Sequence, residues 1–163
     1  MGGTEMVRGF SLFCSALGAA LLLVAAALPG LASPPAPAAG GGTANFIPSG
    51  FRFADGNTFV DATLFGTVTG TLSGTWTEDA VLVIHPDGSQ NTHASGTFFV
   101  STPCGAGRFA FELEAQQPAG SKTLTGQWRS VEQSSNTVSI HTVDTFNNVQ
   151  NSGVFTYSGQ YGC

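Results

Sequence analysis

Hydrophobic and polar positions alternate strictly along the segment 66–77, which reads Gly-Thr-Val-Thr-Gly-Thr-Leu-Ser-Gly-Thr-Trp-Thr. Every even position is apolar or glycine, and every odd position carries a hydroxyl group. A period of two places successive side chains on opposite faces of an extended strand. Glycines four residues apart on the apolar face allow such a strand to coil tightly. The pattern therefore predicts one strongly curved strand over 66–77 in an antiparallel sheet.

On both sides of this segment the chain consists of short runs rich in Thr, Val, Phe and Trp, separated by turn signals such as Pro86-Asp87-Gly88. We expect strands near 45–53, 58–65, 66–77, 80–85, 95–101, 107–116, 122–132, 137–146 and 153–161. One bent strand over 58–77 is the alternative to the pair 58–65 and 66–77. About eight short antiparallel strands predict an all-β fold, either a barrel or a sandwich. Glycine-kinked strands and short local connections favour a single antiparallel β-barrel, and the alternative is a β-sandwich or jelly roll.

The first residues differ in composition from the rest of the chain. Residues 1–32 have the features of a secretory signal peptide: Arg8, an apolar run, and the small residues of Gly30-Leu31-Ala32 before a cleavage site. A retained membrane anchor is the alternative. Residues 33–42, rich in Pro, Ala and Gly, predict a flexible linker. We therefore expect a β-barrel domain over 43–163 in a secreted or extracytoplasmic protein of the periplasm or cell surface.

The charge balance narrows the classes of partner. The chain has five Lys and Arg residues against ten Asp and Glu residues, for a formal net charge of −5. Nucleic-acid binding relies on clustered cations that neutralise phosphates, and the sequence has no such cluster. The same lack argues against an anionic membrane surface, so we expect no nucleic-acid partner and no membrane partner after signal cleavage.

Two cysteines follow the leader, Cys104 and Cys163. In an exported protein such a pair predicts one disulfide bond. The sequence has no C-x-x-C motif, its histidines lack the spacing of a zinc site, and no G-x-S-x-G turn presents a nucleophile. We expect no metal and no cofactor, and we assign no catalytic residue. The pair Glu112 and Glu114, two apart on a strand, keeps a carbohydrate-active β-sandwich as an alternative.

Four residues are candidates for ligand binding. Trp76 and Trp128 lie on the apolar sides of their strands, where they pack in a core or line a pocket. Asp144 extends the side of a strand that also carries Ile140, and a carboxylate buried there would need a partner. Tyr157, near the end of the chain, is the fourth candidate and the third aromatic one.

Two resemblances accompany these patterns. The segments 70–76, Asp87-Gly88, Gly96-Thr-Phe98 and Phe155-Thr-Tyr157 resemble bacterial proteins of unassigned function that share the barrel of allene oxide cyclases and dirigent proteins. That resemblance implies an eight-stranded barrel with an apolar lumen and no cofactor. Cyclases of this shape act on fatty-acid epoxides, and dirigent proteins orient phenoxy radicals. No catalytic residue of either group matches a position in this chain.

The second resemblance is to avidin. Leu72-Ser-Gly-Thr-Trp76 and Tyr157-Ser-Gly-Gln-Tyr161 are similar to avidin segments. Avidin continues through further strands after its second segment, and biotin binding would need an asparagine where Glu78 stands. Biotin binding is therefore disfavoured.

These observations favour an exported small β-barrel that serves as a binding or structural module rather than as an enzyme. The expected partner is a small apolar ligand, and neither the ligand nor the oligomeric state follows from the residues. A cofactor-free cyclase or isomerase acting in the barrel lumen is the alternative, followed by the carbohydrate-active sandwich. The aromatic residues are numerous enough to fill the lumen, so both a hollow and a filled barrel remain open.

Overall fold

The computed structural model describes residues 34–149 and 153–163. The predicted signal peptide, residues 1–32, lies outside this range. Within the two described ranges, no helix has the length and apolar character needed to cross a membrane. The fold is built from nine strands, β1 to β9 in chain order: Ala36–Thr43, Asn45–Ala54, Asn57–Gly70, Ser73–Ile84, Gln90–Thr102, Gly105–Gln117, Thr123–Val131, His141–Val149 and Val154–Gly162.

All nine strands belong to one antiparallel sheet, in the order β1-β9-β8-β7-β6-β5-β4-β3-β2. Strand β1 pairs with β9 on one side and with the end of β3 on the other, which closes eight strands into a barrel. The predicted antiparallel barrel of about eight strands is confirmed. Because a single sheet closes on itself, the alternative of two packed sheets is wrong.

Strand β2 extends the sheet beyond the closed barrel. Gly42 of β1 lies opposite Val68, and Asn45 of β2 lies opposite Phe65, so β1 and β2 follow the same register along β3. The Ala44 N–H still donates to the Gly153 carbonyl next to β9, and from Asn45 onward the chain pairs with β3 alone among the described residues. We call the end of the barrel at which β1 ends and β9 begins the open end.

The flexible linker predicted over 33–42 is wrong for most of its length, because β1 occupies it. Its glycines make room for aromatic rings of β9 rather than adding flexibility. A Cβ atom at Gly40 would come within 2.6 Å of the Tyr157 ring, and one at Gly42 within 2.5 Å of the Phe155 ring. Glycines on a barrel strand allow this close approach of rings to the backbone.

The single strand predicted over 66–77 is wrong, because the segment is a hairpin. Strand β3 ends at Gly70, which has a positive φ of 102°, and β4 begins at Ser73. The pairing places Val68 opposite Gly74, so even residues face even residues across the turn. The alternation of apolar and hydroxyl positions consequently runs through the turn without a change of phase.

The half of the barrel away from the open end is filled by aromatic side chains. The Phe98 ring lies with its centroid 4.5 Å from the Phe111 centroid and 4.5 Å from the Trp128 centroid. Rings at such distances add to the stabilisation that burial alone provides. The buried aromatic residues of this core are Trp76, Phe98, Phe109, Phe111, Trp128, Phe155 and Tyr157.

The β7–β8 connection and the disulfide bond lie at the closed end. The strand predicted over 137–146 begins only at His141, and the preceding connection buries Val138 and Ile140 in the core. The predicted disulfide is present: Cys104, in the β5–β6 turn, is bonded to Cys163, which follows β9. The bond joins two strands that are distant in the sheet order and so holds this end together.

Candidate functional site

A cavity of about 70 Å³ remains inside the barrel, in the half next to the open end. Its walls include residues close to that end, among them Ala44 between β1 and β2, Leu82 near the end of β4, and Leu124 near the start of β7. Most of the lining is apolar. The larger apolar side chains that contribute are Leu64, Trp76, Leu82, Phe111, Leu113, Leu124, Trp128 and Phe155.

Glu78 is the acidic group of this cavity. Its position on β4 follows Trp76 at a spacing of two, so the side chain points into the barrel, and the residue is only 6% exposed. The carboxyl group makes no hydrogen bond or ion pair with any described residue. Burial raises the pKa of Glu78 to about 8, so the carboxyl group is mostly uncharged at neutral pH.

Space for the Glu78 side chain is provided by the neighbouring strand. Gly96 of β5 lies opposite Glu78, and a Cβ atom at Gly96 would be 2.7 Å from the Glu78 Cβ atom. A glycine here lets the glutamate fit between the sheet and the Phe111 ring, which would be equally close to that Cβ atom.

Two further polar residues of the lining belong to β5. The Gln90 Nε2 group donates a hydrogen bond to Thr92 Oγ1 at 2.9 Å, and both residues are buried. The cavity therefore combines apolar walls with an amide, a hydroxyl and a carboxyl group on the adjacent strands β4 and β5. Such a lining encloses an apolar group and offers hydrogen bonds along one side.

The tryptophans singled out from the sequence, Trp76 and Trp128, both line the cavity and both pack in the core. The Trp76 indole N–H donates to the Thr67 carbonyl at 3.3 Å, and its ring meets the Phe155 ring edge-on, with centroids 5.9 Å apart. Core packing and pocket lining are thus two functions of the same rings.

The other two candidates are placed differently. Tyr157 is not part of the cavity wall; its hydroxyl group accepts a hydrogen bond from the Leu72 N–H at 2.9 Å and donates one to the Thr69 carbonyl at 3.2 Å. Asp144 lies in β8, with its backbone opposite Trp128 and Gly159. The Asp144 side chain lies outside what the structure describes.

The histidines do not assemble into a site. His85 Nδ1 is within hydrogen-bond distance of Asn57 Oδ1, at 2.9 Å, and His85 Nε2 is within hydrogen-bond distance of Asn91 Nδ2, at 3.0 Å. His93 and His141 are exposed. Within residues 34–149 and 153–163, no group of His, Cys, Asp and Glu side chains could hold a metal ion.

The acidic pair considered for carbohydrate chemistry lies on the outside of the barrel. Glu112 and Glu114 are exposed on β6, and Glu112 Oε2 is 3.6 Å from the Arg129 Nη2 atom of β7. Phe111 and Leu113, between and beside them, face the interior. The two carboxylates therefore lie on a solvated outer face and away from the cavity.

Sequence reasoning missed Glu78 as a site residue. The signal was present, because the even positions that carry Val68, Leu72 and Trp76 continue through Glu78 to Ala80. An acidic residue in phase with an apolar face is a candidate for burial. In the sequence, Glu78 stands out only as a mismatch with the avidin pattern.

Three exposed aromatic residues of β2 lie beside the cavity. Phe46, Phe51 and Phe53 are 47%, 65% and 80% exposed. Phe46 lies opposite Leu64, a cavity residue, and Phe51 lies opposite the buried Val60. Cross-strand partners share a face of the sheet, so all three side chains are on the interior face. We call Phe46, Phe51 and Phe53 the phenylalanine rim.

A bulge in β2 brings the rim residues onto one face. The register against β3 shifts between Pro48 and Gly50, which moves Phe51 and Phe53 into phase with Phe46. Without this extra residue, the two groups would point to opposite faces.

Comparisons with known proteins identify no relative: no protein-family model, curated protein or solved structure matches the chain.

Proposed function

We propose that this protein binds a small, largely apolar molecule at the open end of its barrel. The observation that carries the proposal is the position of the phenylalanine rim on the same face of the sheet that lines the apolar cavity between Trp76 and Trp128. Exposed aromatic groups beside a concave apolar cavity are typical of ligand-binding sites. A structural module with a filled lumen would have no use for either feature.

The size of the cavity restricts the ligand. A volume of about 70 Å³ is well below the roughly 300–1,000 Å³ of pockets that enclose a whole drug-sized molecule. It is also smaller than the ~150 Å³ cavity that accommodates benzene in another protein. The barrel therefore encloses one end of the ligand, such as a methyl group or a short chain, while the remainder lies along the phenylalanine rim.

The proposed site of action is outside the cytoplasm, after cleavage of the signal peptide before Ser33. The Cys104–Cys163 disulfide supports this proposal, because such bonds persist mainly in oxidising compartments. The intact mass of the protein recovered from the medium or the periplasm tests it. A mass that includes residues 1–32 would contradict cleavage.

A cofactor-free isomerase or cyclase is the second candidate. The observation that favours it is Glu78, the one ionisable side chain among the described residues of the lining. A carboxyl group with a pKa near the working pH is suited to proton transfer.

Fluorescence of N-phenylnaphthylamine, an uncharged apolar dye, tests the binding proposal. We expect the dye to gain intensity with wild-type protein and to lose at least about tenfold in affinity with Leu124→Trp, which fills the cavity mouth. The matched control is Thr125→Trp, since Thr125 is the next residue of β7 and faces outward. Equal binding by both variants, or no binding by the wild type, would rule out the open end as the site.

A further inference from the structure

The carboxyl group of Glu78 is buried at a cost in folding free energy that no other described residue offsets. Nearly all buried polar groups in proteins have a hydrogen-bond partner, and an unpartnered group costs stability. Glu78 is 6% exposed, and none of the described residues supplies a hydrogen bond or a cation. A carboxyl group retained under these conditions, and aimed into a cavity with an open end, indicates a partner that arrives from outside.

The surroundings define the chemistry of that partner. Across the sheet, Glu78 lies between Leu64 of β3 and Gly96 of β5, neither of which has a polar side chain. The lining contributed by the other strands is apolar, apart from Gln90 and Thr92, and holds no further titratable or charged group among the described side chains. A cation entering this site would lose its hydration to meet mainly apolar walls, which is unfavourable.

We infer that Glu78 donates a hydrogen bond to an uncharged acceptor, such as a ketone or ester carbonyl, at the end of the apolar molecule that enters the cavity. This inference rests on the proposed binding function and deepens it. The ligand class is an apolar chain with a carbonyl group near one end. The carbonyl end lies in the cavity and the chain lies against the phenylalanine rim.

Burial supports the donor role of Glu78. Because burial raises the pKa of Glu78 to about 8, the carboxyl group carries its proton at neutral pH. A carboxylic acid that an apolar site keeps neutral is a good hydrogen-bond donor, whereas an ionised carboxylate can only accept.

The test compares two ligands of the same shape. Methyl hexyl ketone and the alkene in which a methylene group replaces its carbonyl oxygen are each titrated against the dye-loaded, disulfide-bonded protein. The ratio of their affinities is then measured for wild type and for Glu78→Leu, so that the difference in apolarity between the ligands cancels. We expect the ratio to favour the ketone by about tenfold more in the wild type, since a buried carbonyl without a donor is penalised.

A second variant separates hydrogen bonding from charge. Glu78→Gln keeps a donor in its amide group, and we expect it to retain most of the preference for the ketone. Raising the pH through about 8 should weaken ketone binding by the wild type as Glu78 loses its proton. The same change should leave ketone binding by Glu78→Gln unaltered.

The outcomes distinguish this inference from the binding function. Equal affinity ratios in wild type and Glu78→Leu would overturn the inference and leave apolar binding intact. Tighter binding of the matched primary amine than of the ketone would also overturn it, because Glu78 would then serve a cation. Failure of the wild type to bind the dye, the ketone and the alkene would overturn the binding function itself.

Discussion

The hydroxyl group of Tyr157 accepts a hydrogen bond from the backbone N–H of Leu72 at 2.9 Å, across 85 positions of the chain. This contact joins the last strand to the β3–β4 turn and is buried. The same hydroxyl donates to the Thr69 carbonyl, so the turn is held on both sides of its tip. Tyr157 is therefore part of the closure of the barrel and not of the cavity.

Removal of this hydroxyl should destabilise the protein without affecting ligand binding. Tyr157→Phe leaves the buried Leu72 N–H without its partner, and we expect the free energy of unfolding to fall by about 1–3 kcal/mol. Urea unfolding measures the loss. Tyr161→Phe is the matched control on the same strand, because the Tyr161 hydroxyl makes no hydrogen bond with any described residue. Similar losses in both variants would show that the Leu72 contact is not the cause.

Stability should fall as the pH rises from acidic to mildly alkaline values, because of Glu78. Its pKa is raised from 4.5 in the unfolded chain to about 8 in the fold, so the native state holds the extra proton between these values. A group with a raised pKa stabilises the fold at low pH and loses that contribution as the pH rises, by up to about 1.4 kcal/mol per pH unit.

Urea unfolding of wild type and Glu78→Gln at a series of pH values isolates this effect from that of the other carboxylates. We expect the stability difference between the two proteins to change steadily between the two pKa values and to become constant above about pH 8. A difference that does not vary with pH would mean that Glu78 is solvated in the native state.

The disulfide bond should contribute strongly to stability, since it closes a loop between residues 59 positions apart. The chain-entropy model gives about 4 kcal/mol for such a loop. Cys104→Ser should therefore lower the free energy of unfolding by about this amount, and the double variant Cys104→Ser/Cys163→Ser should lose no more. A double variant far less stable than the single one would contradict a shared bond.

A substitution at Gly42 tests whether this part of the chain forms strand β1 and packs against β9. Gly42→Ala places a methyl group against the Phe155 ring and the Thr67 carbonyl, and we expect it to cost about 1–3 kcal/mol or more. Gly162→Ala is the control, because a Cβ atom there meets no atom within 4 Å. Equal stability of Gly42→Ala and wild type would support the flexible linker that the composition suggests.

The β-strands could be predicted from the sequence, because the alternation of apolar and polar residues depends only on neighbouring positions within each segment. Phe109, Phe111 and Leu113 face the core as their alternation indicates, and Trp76 and Trp128 follow the same rule. The disulfide could also be predicted, because only two cysteines follow the leader. The turn between β3 and β4 could not be predicted, because apolar residues occupy even positions in both strands of that hairpin and the alternation shows no break.

The other differences between the sequence-based predictions and the structure depend on contacts between segments that are distant in the chain. Gly40 and Gly42 resemble linker residues until Tyr157 and Phe155 of β9 are known to lie over them. The cavity has the same origin, because its walls come from six strands and the β1–β2 junction. The position of Glu78 on the apolar face of β4 could be predicted from the two-residue period. That no described residue forms a hydrogen bond with its carboxyl group follows only from the assembled barrel.

The decisive experiment on ligand binding is a crystal structure of the protein with a methyl ketone that carries bromine at the far end of its chain. Anomalous scattering locates the bromine independently of the protein atoms. The proposed binding mode predicts a bromine peak beside the phenylalanine rim, with the ketone oxygen within hydrogen-bond distance of the Glu78 carboxyl group. A bromine peak on the outer face of the barrel, with an unoccupied cavity, would contradict it.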